Sequence, residues 1–272
     1  MIKFYEADHR YESIVPDNTK WLGATTIVGA FEEPFHQEQQ AIKSSKNTRS
    51  KWYGLSVQEI VDAWNAESKR AIDLGHWYHN RIESQILSQD SIDGLHVYRP
   101  IIVDGVKMAP EQRLGNGIYP EHLVYLLSAG ITGQSDIVKV NKGLVYIDDH
   151  KTSKEITTKG YTNWEGITKK MLKPFTHLDN CHLNHYALQL SIYMYCILRH
   201  NPMLSPGTMT INHVKFKEEG INKYGYPIHY LDENKEPVVE SVTPIVVPYL
   251  KQEIVSLIKW LKGNREQIIK HK

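Results

Sequence analysis

The chain has 272 residues, 41% of them hydrophobic and 23% charged, with a formal net charge of +1. That is enough chain for a sizeable core, and the near-neutral balance excludes a global positive field that would draw the whole protein to nucleic acid. No apolar run approaches the roughly 20 residues that span a bilayer, and MIKFYEADHR lacks the apolar core of a signal peptide, so a cytoplasmic protein without membrane partners is expected (host cytoplasm, if a phage encodes it). The two cysteines, Cys181 and Cys196, are too few for a disulfide framework or an iron–sulfur cluster.

Residues 2–30 read as short strands ending in WLGATTIVGA, followed by a basic, polar segment from Lys43 to Lys51. Ser56 with Glu59 forms a capping box, and Val57, Ile60, Val61 and Trp64 give one apolar helical face. A second helical pattern runs through about Leu87, with Leu74, Tyr78, Ile82 and Ile86 as its stripe. His76, His79 and Glu83 lie together on its other side, where they could hold a cation or form a solvated polar face.

Val138 and Val140 precede an Asn141-Lys142-Gly143 turn signal, and Leu144, Val145 and Ile147 follow it, which predicts a hairpin. With Lys142-Gly143 as the two-residue loop, Asp136 faces Asp149, and Lys151 points to the same side as Asp149. Opposed carboxylates repel, so a bridging hard cation such as Mg²⁺ or Mn²⁺ is one reading. A solvated hairpin with a surface Asp–Lys pair is the other.

From Lys151 to Lys173 six lysines stand against Glu155 and Glu165, a local net of +4, with Tyr161 and Trp164 among them. Lysines interleaved with aromatics suit a phosphate backbone and stacked bases, and equally a mobile basic loop. Lys159, Tyr161, Trp164, Lys169 and Lys170 are the candidate substrate contacts. His177, Cys181, His182 and His185 have zinc-ligand character but crowd one helix start. That helix, from about Asn180 to His200, is apolar nearly all round, with Tyr186, Gln189 and Tyr193 as a polar-tipped line. Strands in TMTINHVKF, GYPIHYL and ESVTPIVV follow, then a helix from near Pro248 with Leu250, Ile254, Leu257, Ile258 and Leu261 inward. The order predicts one α/β (α+β) domain over 1–272 with a central mixed sheet flanked by helices: strands and the basic segment over 1–55, a motif-bearing core over 56–200, and terminal strands and helix over 201–272.

The blocks GHWYHNRIE, PEHLVYLLSAGITGQSD, VYIDDHKTSK and HYALQLSIY, in this order over roughly residues 75–195, resemble the PD-(D/E)XK nuclease superfamily in its RecB-like branch. WLGATTIV resembles a Ser-Val-Thr segment near the start of phage and mitochondrial genome-maintenance exonucleases, with Ala24 in place of the serine. The resemblance implies a restriction-endonuclease-like core and a Mg²⁺- or Mn²⁺-dependent deoxyribonuclease, most readily an exonuclease in recombination or repair. It implies Asp136 and Asp149 as metal ligands with the His150 carbonyl and His79 beside them, and Lys151 as the catalytic lysine. Glu121 matches the family's upstream acidic residue, Gln189 and Tyr193 the Gln-x-x-x-Tyr helix motif, and Thr25 and Thr26 fall in the N-terminal segment that meets substrate. Glu83 is expected to orient His79, and Asp148 and His150 to face the other side of the strand. No Walker A pattern occurs, so unwinding would fall to a partner such as a helicase, with a single-strand-binding or recombination protein as a further partner. The competing class is a catalytically silent DNA-binding protein on the same scaffold.

Overall fold

The computed structural model describes residues 1–270 except Pro16 and Pro110, with Lys270 as backbone only. The chain opens on an antiparallel pair, β1 (Ile2–Tyr5) and β2 (Arg10–Ser13). The short β3 (Leu22–Gly23) then leads into helix α1 (Ala24–Gly29), where strand was expected to continue. Ala24, Ile27 and Val28 share one helical face and are buried in the main core, and that burial outweighs the strand preference of the Thr-Thr-Ile-Val run. Part of the basic segment is also helical: α2 (Gln37–Lys46) lays Ala41 against Trp52, Ile60 and Ala63.

Helix α3 (Val57–Leu87) runs unbroken for 31 residues, where the sequence suggests two helices. Its capping box forms as expected, with Glu59 N–H donating to Ser56 Oγ at 3.2 Å and Ser56 N–H donating to the Glu59 carboxylate at 2.8 Å. Between the two apolar stretches lie strong helix formers and the ion pairs Glu67–Arg70 and Lys69–Asp73, which carry the helix through its exposed middle. Two small hairpins that the sequence reading left out come next. β4 (Ser91–Ile92) with β5 (Leu95–His96) turns at Asp93-Gly94, and β6 (Ile101–Val103) with β7 (Val106–Ala109) turns at Asp104-Gly105. All four turn residues have positive φ, as the tightest hairpin turns require. β7 joins β1, giving a small sheet in the order β2-β1-β7-β6.

The main sheet is built from β8 (Gly117–Leu126), β9 (Ile131–Asn141) and β10 (Leu144–Lys151), then, after helix α4 (His182–His200), from β11 (Ser205–Phe216). The β12 (Glu218–Ile221) and β13 (Pro227–His229) hairpin leads to β14 (Val239–Val247), and helix α5 (Lys251–Lys270) ends the described chain. Strands run β14-β11-β10-β9-β3, with β8 on the remaining edge of β9, and both β10–β11 and β3–β9 are parallel, so the sheet is mixed. Val145, Ile147, Met209 and Ile211 face α4 and the main core, where α5 also packs Ile254, Leu257 and Leu261. Val214 and Phe216, of opposite parity on β11, face Leu74 and Tyr78 of α3. The architecture is the expected α+β arrangement. No helix among the described residues is long and apolar enough to cross a membrane.

Candidate metal centre at a fork in the sheet

The β9–β10 hairpin forms in the predicted register, from Leu144↔Asn141 to Asp148↔Ile137, around Lys142 and Gly143 at φ 49° and 79°. The next pair would be Asp149 and Asp136, but there the ladder ends. β10 continues only with β11, from Asp149↔Ile211 to Lys151↔His213. Further along the same edge of β9, β3 takes over at Ile131 and Thr132. Between them, residues 133–136 face an opening in the sheet. Asp136 sits at its apex, and the His150 N–H donates to Asp136 Oδ2 at 2.8 Å.

On the other edge of β9, β8 pairs from Gly117↔Val140 to Leu126↔Ile131. Its regularity breaks at Glu121, the residue opposite Asp136, which has φ 49°. A non-glycine residue in the left-handed region costs on the order of 1–3 kcal/mol and persists where its surroundings enforce it. Here the Gln134 side-chain amide donates to the Glu121 carboxylate. From the far side α3 brings His79, whose Nδ1 lies 3.1 Å from Asp136 Oδ2. His79, Glu121 and Asp136 each offer one ligand atom, and all three atoms lie within 4.8 Å of one another. Donors about 2.1–2.2 Å from one ion are separated by no more than about 4.4 Å, so a small inward movement would seat a cation. Two carboxylates with one imidazole suit Mn²⁺ or Mg²⁺, the nitrogen favouring the former.

Burial and mutual charge move all three groups away from their ordinary values. Burial and the neighbouring Asp136 raise Glu121 to about 8. Burial works against the charge on Asp136, yet hydrogen bonds from His150 and His79 hold it below the ordinary carboxylate range. Burial likewise works against protonated His79, but its bond to Asp136 prevails and raises it to about 9.

Asp149 does not join this set. It is 1% exposed, and its Oδ2 lies 2.8 Å from Lys151 Nζ. The strands part after Asp148, and the Asp149 carboxylate is paired with Lys151, outside the three-donor set. Burial raises the Asp149 carboxyl, whereas Lys151, despite its own burial, is raised by Asp149 and Asp136. The His150 ring lies 5.5 Å from that of Tyr78 on α3. Its visible contribution to the site is the N–H bond to Asp136, with Nδ1 a further 3.7 Å from the same oxygen.

A cleft of about 830 Å³ opens onto the centre. Thr25 and Thr26 of α1, His76 and Glu83 of α3, and Gln189 and Tyr193 of α4 line it. Gln189 Nε2 donates to Tyr193 Oη at 2.9 Å. The ring of buried Tyr193 lies so close to Gly133 that a Cβ there would meet its Cε1 at 2.5 Å. Glu83 does not orient His79: His79 Nδ1 is turned to Asp136, and Glu83 lies 3.7 Å from Lys107 Nζ. His76 is exposed and outside the three-donor set.

A second cleft, of about 740 Å³, adjoins the first and is lined in part by Lys159, Tyr161 and Lys169. Of the other basic-segment candidates, Trp164 is 92% exposed and lines neither cleft, and Lys170 is paired with Asp179. Lys169 is paired with Glu33 at 3.2 Å. The zinc reading finds no cluster among the described residues. His177 faces Glu253, His185 faces Glu32, and His182 Nδ1 accepts from Thr157 N–H. The sequence reading missed Gln134, although its spacing of two from Asp136 puts both on one side of β9. It also missed the β1–β2 connection, whose Glu6, Asp8 and His9 form part of the central cleft wall. No local signal marks that wall, because it is placed by packing of Ile2 and Phe4 on Leu123 and Tyr125.

No family model and no curated protein matches the chain. Among solved structures it is similar to one described as "Crystal structure of SSO0001", with 16% sequence identity and a TM-score of 0.32 over 92% of this chain and 79% of that one. A likeness that loose transfers neither fold nor function.

Proposed function

We propose that this chain is a divalent-metal-dependent deoxyribonuclease of the PD-(D/E)XK type, acting on DNA ends during recombination, repair or related DNA processing. The observation that carries the reading is the convergence of His79, Glu121 and Asp136 within 4.8 Å at a fork whose next strand residues are the buried Asp149–Lys151 pair. Structural ion pairs alone do not require a strained glutamate beside a second carboxylate. In this reading His79, Glu121 and Asp136 hold Mg²⁺ or Mn²⁺. A divalent ion in that position lowers the pKa of a bound water and neutralises charge developing on a phosphodiester. Lys151, fixed by Asp149, presents a positive charge to the same phosphate. Gln189, tied to Tyr193, and Thr25 stand where the two clefts join, in position to meet the strand.

The test uses end-labelled linear DNA and closed circular DNA, each single and double stranded, with Mg²⁺, Mn²⁺ or EDTA, and with Asp136→Ala run in parallel. Metal-dependent loss of linear DNA, with circles spared and the variant inert, is the expected result. Cleaved circles would make the enzyme an endonuclease. DNA binding that survives EDTA, with no cleavage under either metal, would replace the proposal with a silent binding scaffold.

A further inference from the structure

A fixed cation already stands in the wall of the metal centre. Lys107 on β7 is 8% exposed, an uncommon place for an ammonium group. It shares the buried face of β7 with Ala109, which packs with Leu123 of β8. Lys107 and Glu121 both line a cavity of about 310 Å³ at this junction, and Glu121 lines the central cleft as well. From α3, Glu83 brings Oε1 to 3.7 Å from Lys107 Nζ. The charge of Lys107 also reaches Glu121, where it works against the rise that burial and Asp136 produce, while Glu83 adds to that rise.

The spacing sets Lys107 apart from an ordinary ion pair. Lys151 closes on Asp149 to 2.8 Å, the length of a charge-assisted hydrogen bond. Lys107 stands off from Glu83 beyond hydrogen-bond length, as a cation shared by two carboxylates does. A buried ammonium is costly unless its charge is matched nearby. Here the matching groups, Glu83 and Glu121, both line the central cleft.

Charge balance then limits what the centre can hold. Asp136, Glu121 and Glu83 carry three negative charges when ionised, against one positive charge on Lys107. The Asp149–Lys151 pair cancels. With His79 neutral as a ligand, a charge of minus two remains, and one divalent ion cancels it. The other acidic residues of the cleft wall, Glu6 and Asp8, are exposed, and Asp8 is paired with Arg10. Two-metal hydrolytic sites place their ions about 3.5–4 Å apart. A second ion coming to Glu83 would meet the Lys107 ammonium there.

We propose that Lys107 is the second cation of this centre: its fixed ammonium takes the place of a second metal ion beside Glu83 and Glu121, and the centre binds a single divalent ion. The proposal rests on the metal-centre reading above and deepens it. The experiment counts Mn²⁺ bound per chain from the electron paramagnetic resonance signal of free Mn²⁺, with the full chain titrated well past saturation of the first site. Lys107→Met, Lys107→Arg, Lys107→Met combined with Glu83→Gln, and Asp136→Ala run beside the wild type, each checked for folding by its thermal transition. One Mn²⁺ in the wild type and in Lys107→Arg, two in Lys107→Met, and one again when Glu83→Gln is added are expected. A merely structural lysine would change stability and leave these counts alike. Two Mn²⁺ in the wild type, or one in both the wild type and Lys107→Met, would overturn the proposal while leaving the metal centre intact. Should Lys107→Met fail to fold, the wild-type count and Lys107→Gln decide. If the wild type binds no Mn²⁺, or Asp136→Ala binds as much as the wild type, the metal centre falls and this proposal with it.

Discussion

Lys151→Met would remove the ammonium 2.8 Å from Asp149 Oδ2 and leave a carboxyl group that is 1% exposed inside the sheet. Breaking a buried pair by deleting one partner costs about 3–5 kcal/mol. The orphaned Asp149 has an escape, because it can take up a proton. Protonating a carboxyl of ordinary pKa near 3.9 costs about 4 kcal/mol at pH 7 and about 1.5 kcal/mol at pH 5. That cost caps the loss. The variant's carboxyl is held protonated when folded and ionises when unfolded, so its stability falls as pH rises above about 4. Lys151→Met should therefore be about 3–4 kcal/mol less stable than wild type at pH 7, or roughly 6–16 °C in Tm, and only about 1.5 kcal/mol less stable at pH 5. Urea denaturation in EDTA at both pH values measures this. Asp149→Asn combined with Lys151→Met should recover most of the stability while remaining inactive, which separates folding from chemistry. A Lys151→Met protein within about 0.5 kcal/mol of wild type at pH 7, or equally weakened at both pH values, would refute the buried-pair reasoning.

At pH 7, His79, raised to about 9, and Glu121, raised to about 8, both carry protons that an arriving cation must displace. Mn²⁺ calorimetry in buffers of different ionisation enthalpy should show release of roughly one to two protons, with apparent affinity rising from pH 6 to 9; no release at pH 7 would remove both residues from the ligand set. Gly133→Ala should destabilise by about 1–3 kcal/mol, because the new Cβ meets Tyr193 Cε1 at 2.5 Å, whereas an unobstructed Gly→Ala change would stabilise slightly. Equal or greater thermal stability in Gly133→Ala would show that Tyr193 yields freely. Lys159→Ala should reduce the slope of log binding constant against log salt by about 0.7–0.9, and Lys170→Ala by less, since Asp179 already neutralises Lys170. Equal slopes for the two variants would mean that their ion pairing does not matter to the strand.

Several elements were readable because their causes are local. The Asn141-Lys142-Gly143 turn sets the β9–β10 register through backbone sterics, so the pairing from Leu144↔Asn141 to Asp148↔Ile137 followed from counting residues. The Ser56–Glu59 cap and the inward stripe of α5 are equally short-range patterns. The Asp93-Gly94 and Asp104-Gly105 hairpins carried the same kind of signal and could have been read. Helix α1 could not, because its β-branched run becomes helical only against α4.

The candidate site lies mostly beyond that local range. Sequence alone identified His79, Glu121, Asp136, Asp149 and Lys151 as chemistry-bearing residues and put the last three on one hairpin. Which carboxylates meet was decided by tertiary structure. β10 follows β11 instead of β9 after Asp148, which opens the fork, gives Asp149 to Lys151 and leaves Asp136 to Glu121 and His79. A hairpin's register depends on a turn of a few atoms. The point where a strand leaves one neighbour for another depends on the packing of helices from distant parts of the chain, and that packing exists only once the whole domain has folded.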